Sequence, residues 1–300
     1  MSILEISHVT KSFGANKVIN NLSFSVPEHS VFGFIGQNGA GKTTTMKMVL
    51  GLLKADSGEI FVNGEKVTFG QNKTNRFIGY LPDVPEFYGF MTPVEYLAMC
   101  GEITGMNRED IRKKSARLLE LVGLDAANKR IHGFSRGMKQ RLGVAQALLN
   151  SPKLLISDEP TSALDPVGRK EILDILYSVR KDTTVVFSTH ILSDVERICD
   201  QIAFLHEGRI ALEGTLEEIR SVRKGDSIEI EFFKPEDADL FSDNYADGSR
   251  IGDTKLLLPK KSEKDMIEIM KRLSQNNISV QRLERLEPTL EDLFLEVVHK

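Results

Sequence analysis

Gly36, Gln37, Asn38, Gly39, Ala40, Gly41, Lys42, Thr43 is the stretch that decides how this 300-residue chain is read. Its spacing fits G-x-x-x-x-G-K-[ST], a glycine-rich loop whose successive backbone N–H groups point at phosphate oxygens. Immediately before it, residues 31–35 are mostly apolar and read as a fully buried strand. Further upstream Leu22, Phe24 and Val26 alternate with serines, the period of a half-buried strand. Residues 45–53 read as a helix closed by glycine, and a turn at Ala55, Asp56, Ser57 and Gly58 leads into a short strand over residues 59–62. Strand, loop, helix, strand is the setting this loop needs. Gly36, Asn38, Gly39, Ala40 and Gly41 form the cradle, and the helix N-terminus adds partial positive charge. Lys42 can reach β- and γ-phosphates, Thr43 suits Mg²⁺, and Thr44 is placed for an α-phosphate.

A second constellation is Leu154, Leu155, Ile156, Ser157, Asp158, Glu159, Pro160, an apolar strand that delivers two carboxylates at its end. In a parallel sheet such an end lies beside the phosphate loop. Asp158 is the expected Mg²⁺ residue and Glu159 the expected general base for an attacking water. Strands over residues 154–157, 184–188 and 202–205 are separated by helical sequence, so the body reads as α/β with parallel central strands covered on both faces. Residues 84–150 read as a helical subdomain, opened by Thr92, Pro93, Val94, Glu95, an N-cap, a first-turn proline and a capping-box glutamate.

Past residue 220 the pattern changes. Ile228, Ile230 and Phe232 alternate with glutamates, and residues 255–258 form another strand candidate. Met266, Ile269, Met270 and Leu273 fall at helical spacing, residues 278–283 alternate, and Leu290, Leu293, Phe294 and Val297 suggest a last amphipathic helix. The expected organisation is a main domain over residues 1–220 and a small α+β domain over 221–300, joined by a short charged linker at residues 220–225.

Between the two phosphate-site motifs, Phe134, Ser135, Arg136, Gly137, Met138, Lys139, Gln140, Arg141 resembles the signature segment of ATP-binding cassette (ABC) proteins, usually Leu-Ser-Gly-Gly-Gln. Downstream, Ser162, Ala163, Leu164, Asp165 resembles the D-loop, and His190 the switch histidine. The resemblance covers residues 1 to about 220 in the family's order. It implies the α/β fold of a P-loop NTPase, an ABC ATPase domain with its helical subdomain, and ATP with Mg²⁺ as cofactors. It also implies a head-to-tail dimer in which Ser135 and Gly137 of one copy close on ATP held by the other. His190 would contact the γ-phosphate, and Phe13 corresponds to the aromatic residue that stacks on adenine.

Four residues depart from the family's pattern. Asp83, in Gly79, Tyr80, Leu81, Pro82, Asp83, occupies the place of the family's γ-phosphate-sensing glutamine, as a candidate metal contact. Phe134 and Arg136 replace the usual Leu and first Gly, and Met138 the usual Gln. This form is similar to bacterial cassettes of drug, peptide or antibiotic exporters, as is Glu287, Pro288, Thr289, Leu290, Glu291, Asp292, Leu293, Phe294.

The expected partner is a transmembrane permease docked near residues 83–105, where Phe87, Tyr88 and Phe90 could grip a helix. The expected location is cytoplasmic, at the inner face of the membrane through that permease, because no apolar stretch approaches the roughly 20 residues of a bilayer span and the first residues do not resemble a signal peptide. Cys100 and Cys199 are far apart and read as free core thiols. The competing expectation is a soluble cassette ATPase acting on nucleic acid or the ribosome. With 39 basic and 43 acidic residues the chain has no overall pull toward nucleic acid, and it lacks a basic stripe. The segment from Thr44 to Phe134 is too short, and too poor in heptads, for the long coiled coil of chromosome-maintenance cassettes, and translation-factor types carry two cassettes where this chain has one.

Overall fold

The computed structural model describes residues 2–71, 73–125, 129–222, 227–242, 248–259, 263–286, 290–291 and 293–294. They form two compact units, Met1–Leu216 and Glu217–Lys300. The first begins with an antiparallel pair, β1 (Ser2–Phe13) and β2 (Asn16–Pro27), and continues with β3 (Val31–Gly36), α1 (Lys42–Val49), β4 (Ser57–Val62) and β5 (Glu65–Lys66). Then come β6 (Ile78–Leu81), α2 (Pro93–Ile103), α3 (Arg108–Leu121), α4 (Arg136–Leu148), β7 (Leu154–Asp158), α5 (Pro166–Val179), β8 (Thr184–Thr189), α6 (Leu192–Ile198), β9 (Gln201–His206) and β10 (Arg209–Thr215).

Two sheets organise this unit. An antiparallel sheet runs β2-β1-β4-β5, and a six-stranded sheet runs β10-β9-β3-β8-β7-β6, parallel except for the edge strand β10. On β3, Phe32 and Phe34 point to one side, where Phe24 of β2 stacks on both rings at centroid distances of 5.6 and 5.2 Å. They share one core with Leu22, Ile6 and Val62 of the antiparallel sheet, Met46 and Val49 of α1, and Ile156 and Val186 of the neighbouring strands. Each such side chain contributes about 1.5–3 kcal/mol by leaving water. Gly33 points to the opposite face, where an added Cβ would meet Cys199 Sγ at 2.8 Å and Val195 at 3.4 Å, so α6 lies close against the central strand. Burial pushes the Cys199 thiol well above its usual range, which keeps it protonated and inert.

Several boundaries differ from the sequence reading. Helix α1 starts at Lys42 rather than residue 45, because the phosphate loop itself supplies the N-cap, Gly41 at φ 109°. It ends at Val49 rather than residue 53, with Gly51 at φ 68° in the left-handed region that favours glycine. Strand β1 was not expected. His8 takes φ 52° and the register with β2 shifts between Ile6 and Val9, so the bulge breaks the period-2 pattern that would have marked a strand. In the helical region, residues 84–92 hold no helix, and α2 begins at Pro93 behind the expected capping box, in which Thr92 N–H donates to Glu95 Oε2 at 2.8 Å and Glu95 N–H to Thr92 Oγ1 at 3.3 Å.

Helix α4 reaches the sheet through a glycine. A Cβ on Gly79 of β6 would lie 2.2 Å from the carbonyl oxygen of Ala147. Gly79→Ala should therefore push α4 off β6 and destabilise the unit by about 1–3 kcal/mol, read as a lower urea midpoint at unchanged m-value.

The second unit contains most of α7 (Leu216–Val222), then β11 (Ser227–Phe232), α8 (Pro235–Ser242), β12 (Ser249–Ile251), β13 (Lys255–Leu258), α9 (Glu263–Gln275) and β14 (Val280–Leu286). Its antiparallel sheet runs β12-β13-β11-β14. Ile228, Ile230 and Phe232 face a core with Phe241, Leu256, Ile269 and Leu273, while Glu229 and Glu231 on the other face lie 3.5 and 3.4 Å from Lys255 Nζ. Met270 is exposed, on the outer side of α9. The expected linker at residues 220–225 is helical to Val222, and residues 223–226 lie outside the described residues. Of the expected last helix, Leu290 and Leu293 are buried, and Val297 lies outside the described residues, as do Glu287, Pro288, Thr289 and Asp292.

Candidate active site

The order β3-β8-β7 sets the carboxyl ends of three parallel strands side by side. Ile35 is in register with Thr189, and Asp158 with Ser188. The loop after β3, His190 after β8, and Asp158 with Glu159 at the end of β7 are therefore brought to one edge, where such sheets bind ligands.

In the phosphate loop, Gly39 and Gly41 adopt φ 85° and 109°. An added Cβ on Gly41 would come 2.5 Å from Ile19 Cδ1, so the loop lies tight on β2. No side chain caps α1, and its first N–H groups are suited to an anion. Lys42, 5% exposed, donates from Nζ to the carbonyl oxygens of Gly36 at 2.7 Å and Gln37 at 3.2 Å, and stands 3.0 Å from Glu159 Oε1. Thr43 is exposed and Thr44 half-buried.

Glu159 is a non-glycine residue at φ 50°, held there by its N–H donating to Ser188 O at 3.1 Å and approaching Ser188 Oγ at 3.2 Å. Its carboxylate bridges Lys42 and His190, whose Nδ1 lies 2.9 Å from Oε2. A carboxylate only accepts, so His190 carries its proton on Nδ1 in this contact. Asp158 is buried and accepts from Ser188 Oγ at 2.5 Å through Oδ1. Burial, then the Asp158 and Asp83 carboxylates, push the Tyr80 phenol up to about 12, so it stays protonated at neutral pH.

The loop that follows carries a second network. Asp194 of α6, 2% exposed, accepts from Thr161 Oγ1 at 2.6 Å and from Arg169 Nε of α5 at 2.9 Å. It ties the segment after Glu159 to the helix after His190. From sequence Asp194 reads only as a first-turn acid favoured by the helix dipole.

Phe13 is 50% exposed at the β1 hairpin end, with Lys11 Nζ 5.5 Å from its ring centroid. Asp56 pins this end, accepting from Lys11 Nζ and from Ser12 N–H, both at 2.7 Å. The hydrogen bond from Lys11, then that from Ser12, hold the Asp56 carboxyl below its usual range.

Ser135 caps α4, accepting from Met138 N–H at 3.2 Å. A Cβ on Gly137 would meet nothing within 4 Å, so that backbone face is open. No hydrogen bond or ion pair among the described residues joins Ser135 or Gly137 to the phosphate loop. Asp83 accepts from Ser162 Oγ and faces Arg136 Nη2 at 3.4 Å.

The family model described as ABC transporter matches residues 19–162, and one described as the C-terminal domain of ATP-binding protein DrrA1-3-like matches residues 214–298. The uncharacterized ABC transporter ATP-binding protein YxlF of Bacillus subtilis is 38% identical, over 99% of this chain and 100% of that protein. The chain belongs to the ATP-binding subunits of ABC transporters. Bacitracin transport ATP-binding protein BcrA of Bacillus licheniformis is 34% identical, over 99% of this chain and 97% of that protein. The solved ATP binding subunit of an ABC transporter is 32% identical and superposes with a TM-score of 0.67, over 74% of this chain and 93% of that one. The α/β cassette expected from sequence is thus the family's fold, and this ABC ATPase binds and hydrolyses ATP.

Proposed function

We propose that this ABC ATPase works as a head-to-tail dimer that drives a membrane permease exporting a drug, peptide or lipid-like compound. The carrying observation is the split of its parts. Lys42, Asp158, Glu159 and His190 converge at one sheet edge, while among the described residues the open Ser135–Gly137 N-terminus makes no bond to the phosphate loop of its own chain. A second copy would bring its signature to the γ-phosphate, and ATP would join the two subunits.

Backbone N–H groups of residues 36–44 and the Lys42 ammonium would hold the phosphates, with Lys42 exchanging its Glu159 contact for a phosphate oxygen. That exchange frees Glu159 Oε1 to accept a proton from the attacking water as its oxygen bonds the γ-phosphorus and the bond to ADP breaks. His190, hydrogen-bonded to Oε2, orients the carboxylate.

Mg²⁺ fits the donors present. Asp158 is a buried carboxylate with one oxygen committed to Ser188, and Thr43 offers an exposed hydroxyl. Among the described residues no three His, Cys, Asp or Glu side chains cluster to hold a metal, which suits an ion completed by substrate phosphate and water. Bound there, Mg²⁺ would supply charge neutralisation on the phosphates. Phe13 would stack on adenine, so Phe13→Ala should weaken ATP binding about tenfold by equilibrium dialysis, with Asp56→Ala giving a smaller loss at unchanged maximal turnover.

For the permease, a groove of about 430 Å³ lies between Asp83, Pro85, Phe87, Ile131, Arg136 and Gln140, with Tyr88 and Phe90 exposed nearby. Among the described residues no helix is long and apolar enough to cross a membrane, so the spanning subunit would be separate and this one peripheral at the inner face. Similarity to BcrA, a bacitracin transport ATP-binding protein, supports a cargo of that kind. The test is coexpression with a membrane protein encoded beside it in an antibiotic-sensitive bacterium. Copurification from membranes and protection that Lys42→Ala abolishes are expected. Recovery of the chain without any membrane partner, combined with salt-sensitive retention on nucleic acid, would favour the soluble alternative.

A further inference from the structure

Two departures from the family's usual residues meet in space. Asp83, just past the end of β6, stands in the glutamine's place, and Arg136, the first residue of α4, stands in a glycine's. Arg136 Nη2 lies 3.4 Å from Asp83 Oδ1 and 3.3 Å from Ser162 Oγ, and Ser162 Oγ donates to the same Asp83 oxygen. The triangle is reinforced beneath. Gln140, 1% exposed, donates from Nε2 to the carbonyl oxygens of Asp83 at 3.2 Å and Pro160 at 3.1 Å. Three segments are thereby cross-linked: the end of β6, the first turn of α4, and the turn that follows Glu159, whose own carbonyl accepts from Ser162 N–H at 3.1 Å.

An exposed Asp–Arg pair is weak taken alone, but a shared oxygen with a hydroxyl between the charges makes each member depend on the others. The carboxylate of Asp83 is directed at α4 and Ser162. Arginine at the third signature position adds positive charge beside the Ser135 cap, and Asp83 faces it at 3.4 Å.

We propose that Asp83, Arg136 and Ser162 form a polar link that sets the signature end of α4 relative to the turn after Glu159, with Asp83 acting as a positioning residue and not as a metal ligand. This rests on the head-to-tail reading, in which the signature end completes a partner's ATP site. Asp83 and Arg136 both line the groove of about 430 Å³, so an occupant of that groove would act on the signature end through them.

The test is a double-mutant cycle on the purified full chain with Asp83→Ala, Arg136→Ala and both together, and with Asp83→Asn as a gentler variant. Turnover is measured against Mg²⁺ concentration, and ATP-driven dimerisation is measured by sedimentation in the Glu159→Gln background. Each single alanine variant should lower turnover about three- to tenfold, the double no more than either single, and dimerisation should weaken in parallel. The half-saturating Mg²⁺ concentration and monomer ATP affinity should stay at the wild-type values, including in Asp83→Asn. Multiplying losses in the double variant would overturn the link, and so would a Mg²⁺ requirement raised by the Asp83 variants alone. If Glu159→Gln dimerises equally tightly with and without Arg136→Ala, the link fails and the dimer stands. If Glu159→Gln does not dimerise at all, the head-to-tail reading fails first.

Discussion

Glu159→Gln should lower ATP turnover by at least about 100-fold while leaving ATP binding intact. General-base assistance is worth about 10²–10⁴-fold, and Glu159 is the carboxylate held between Lys42 at 3.0 Å and His190 at 2.9 Å. Glutamine keeps the length; its amide oxygen can accept from Lys42 and its NH2 can donate to His190 Nδ1 once the imidazole proton sits on Nε2, so the loop at φ 50° has no new reason to move. What it loses is the capacity to take a proton from water. ATP should then persist on the protein, and on the proposed dimeric arrangement the variant should sediment as an ATP-bound pair. Single-turnover kinetics with labelled ATP, alongside equilibrium dialysis, separate the two effects. Turnover within a few-fold of the wild type would remove Glu159 from the base's role.

Asp194→Ala should destabilise the first unit by about 2–4 kcal/mol. Asp194 is 2% exposed and accepts from a buried hydroxyl and a guanidinium. Removing it leaves Thr161 and Arg169 facing each other without an acceptor, the situation in which broken buried pairs cost most. Arg169 is 31% exposed and can recover some water, which places the cost toward the lower end. In a unit of this size the melting midpoint should fall by roughly 5–15 °C. Asp194→Asn keeps an acceptor for Thr161 and should lose about half as much. The loop anchored by Thr161 follows Glu159, so turnover should fall with stability. Equal midpoints for the Ala and Asn variants would show that the hydrogen bond from Thr161 contributes nothing to stability.

These two residues also show where sequence reading succeeds and where it stops. Glu159 was legible because an apolar run ending in Asp-Glu, in a chain with a phosphate loop, restricts the chemistry strongly. His190 was legible only through resemblance, and its contact with Glu159 depends on β8 lying beside β7. Asp194, in a short amphipathic helix, carries no sequence mark that separates a buried ion-pair acid from a solvated one. Gln140 is equally silent in sequence, yet it joins Asp83 to Pro160. Strand β1 escaped because its bulge at His8 shifts the alternation that periodicity depends on. The start of α1 was placed three residues late because the loop's glycine, and no capping side chain, begins the helix.

By itself, the sequence determined the parts whose cause is local. Glycine spacing, the strand before it and the helix after it define a phosphate loop through backbone conformations that only neighbouring residues control. Alternation likewise marked β11 and β14 of the second unit, because side-chain direction along a strand follows from the chain's own geometry. Only the tertiary structure decided which polar side chains meet: Lys42 with Glu159, Asp194 with Thr161 and Arg169, Asp83 with Arg136 and Ser162. These partners lie far apart in the chain. Their pairing follows from strand order and helix packing, which are set by burial of the whole apolar surface and not by any short run of residues.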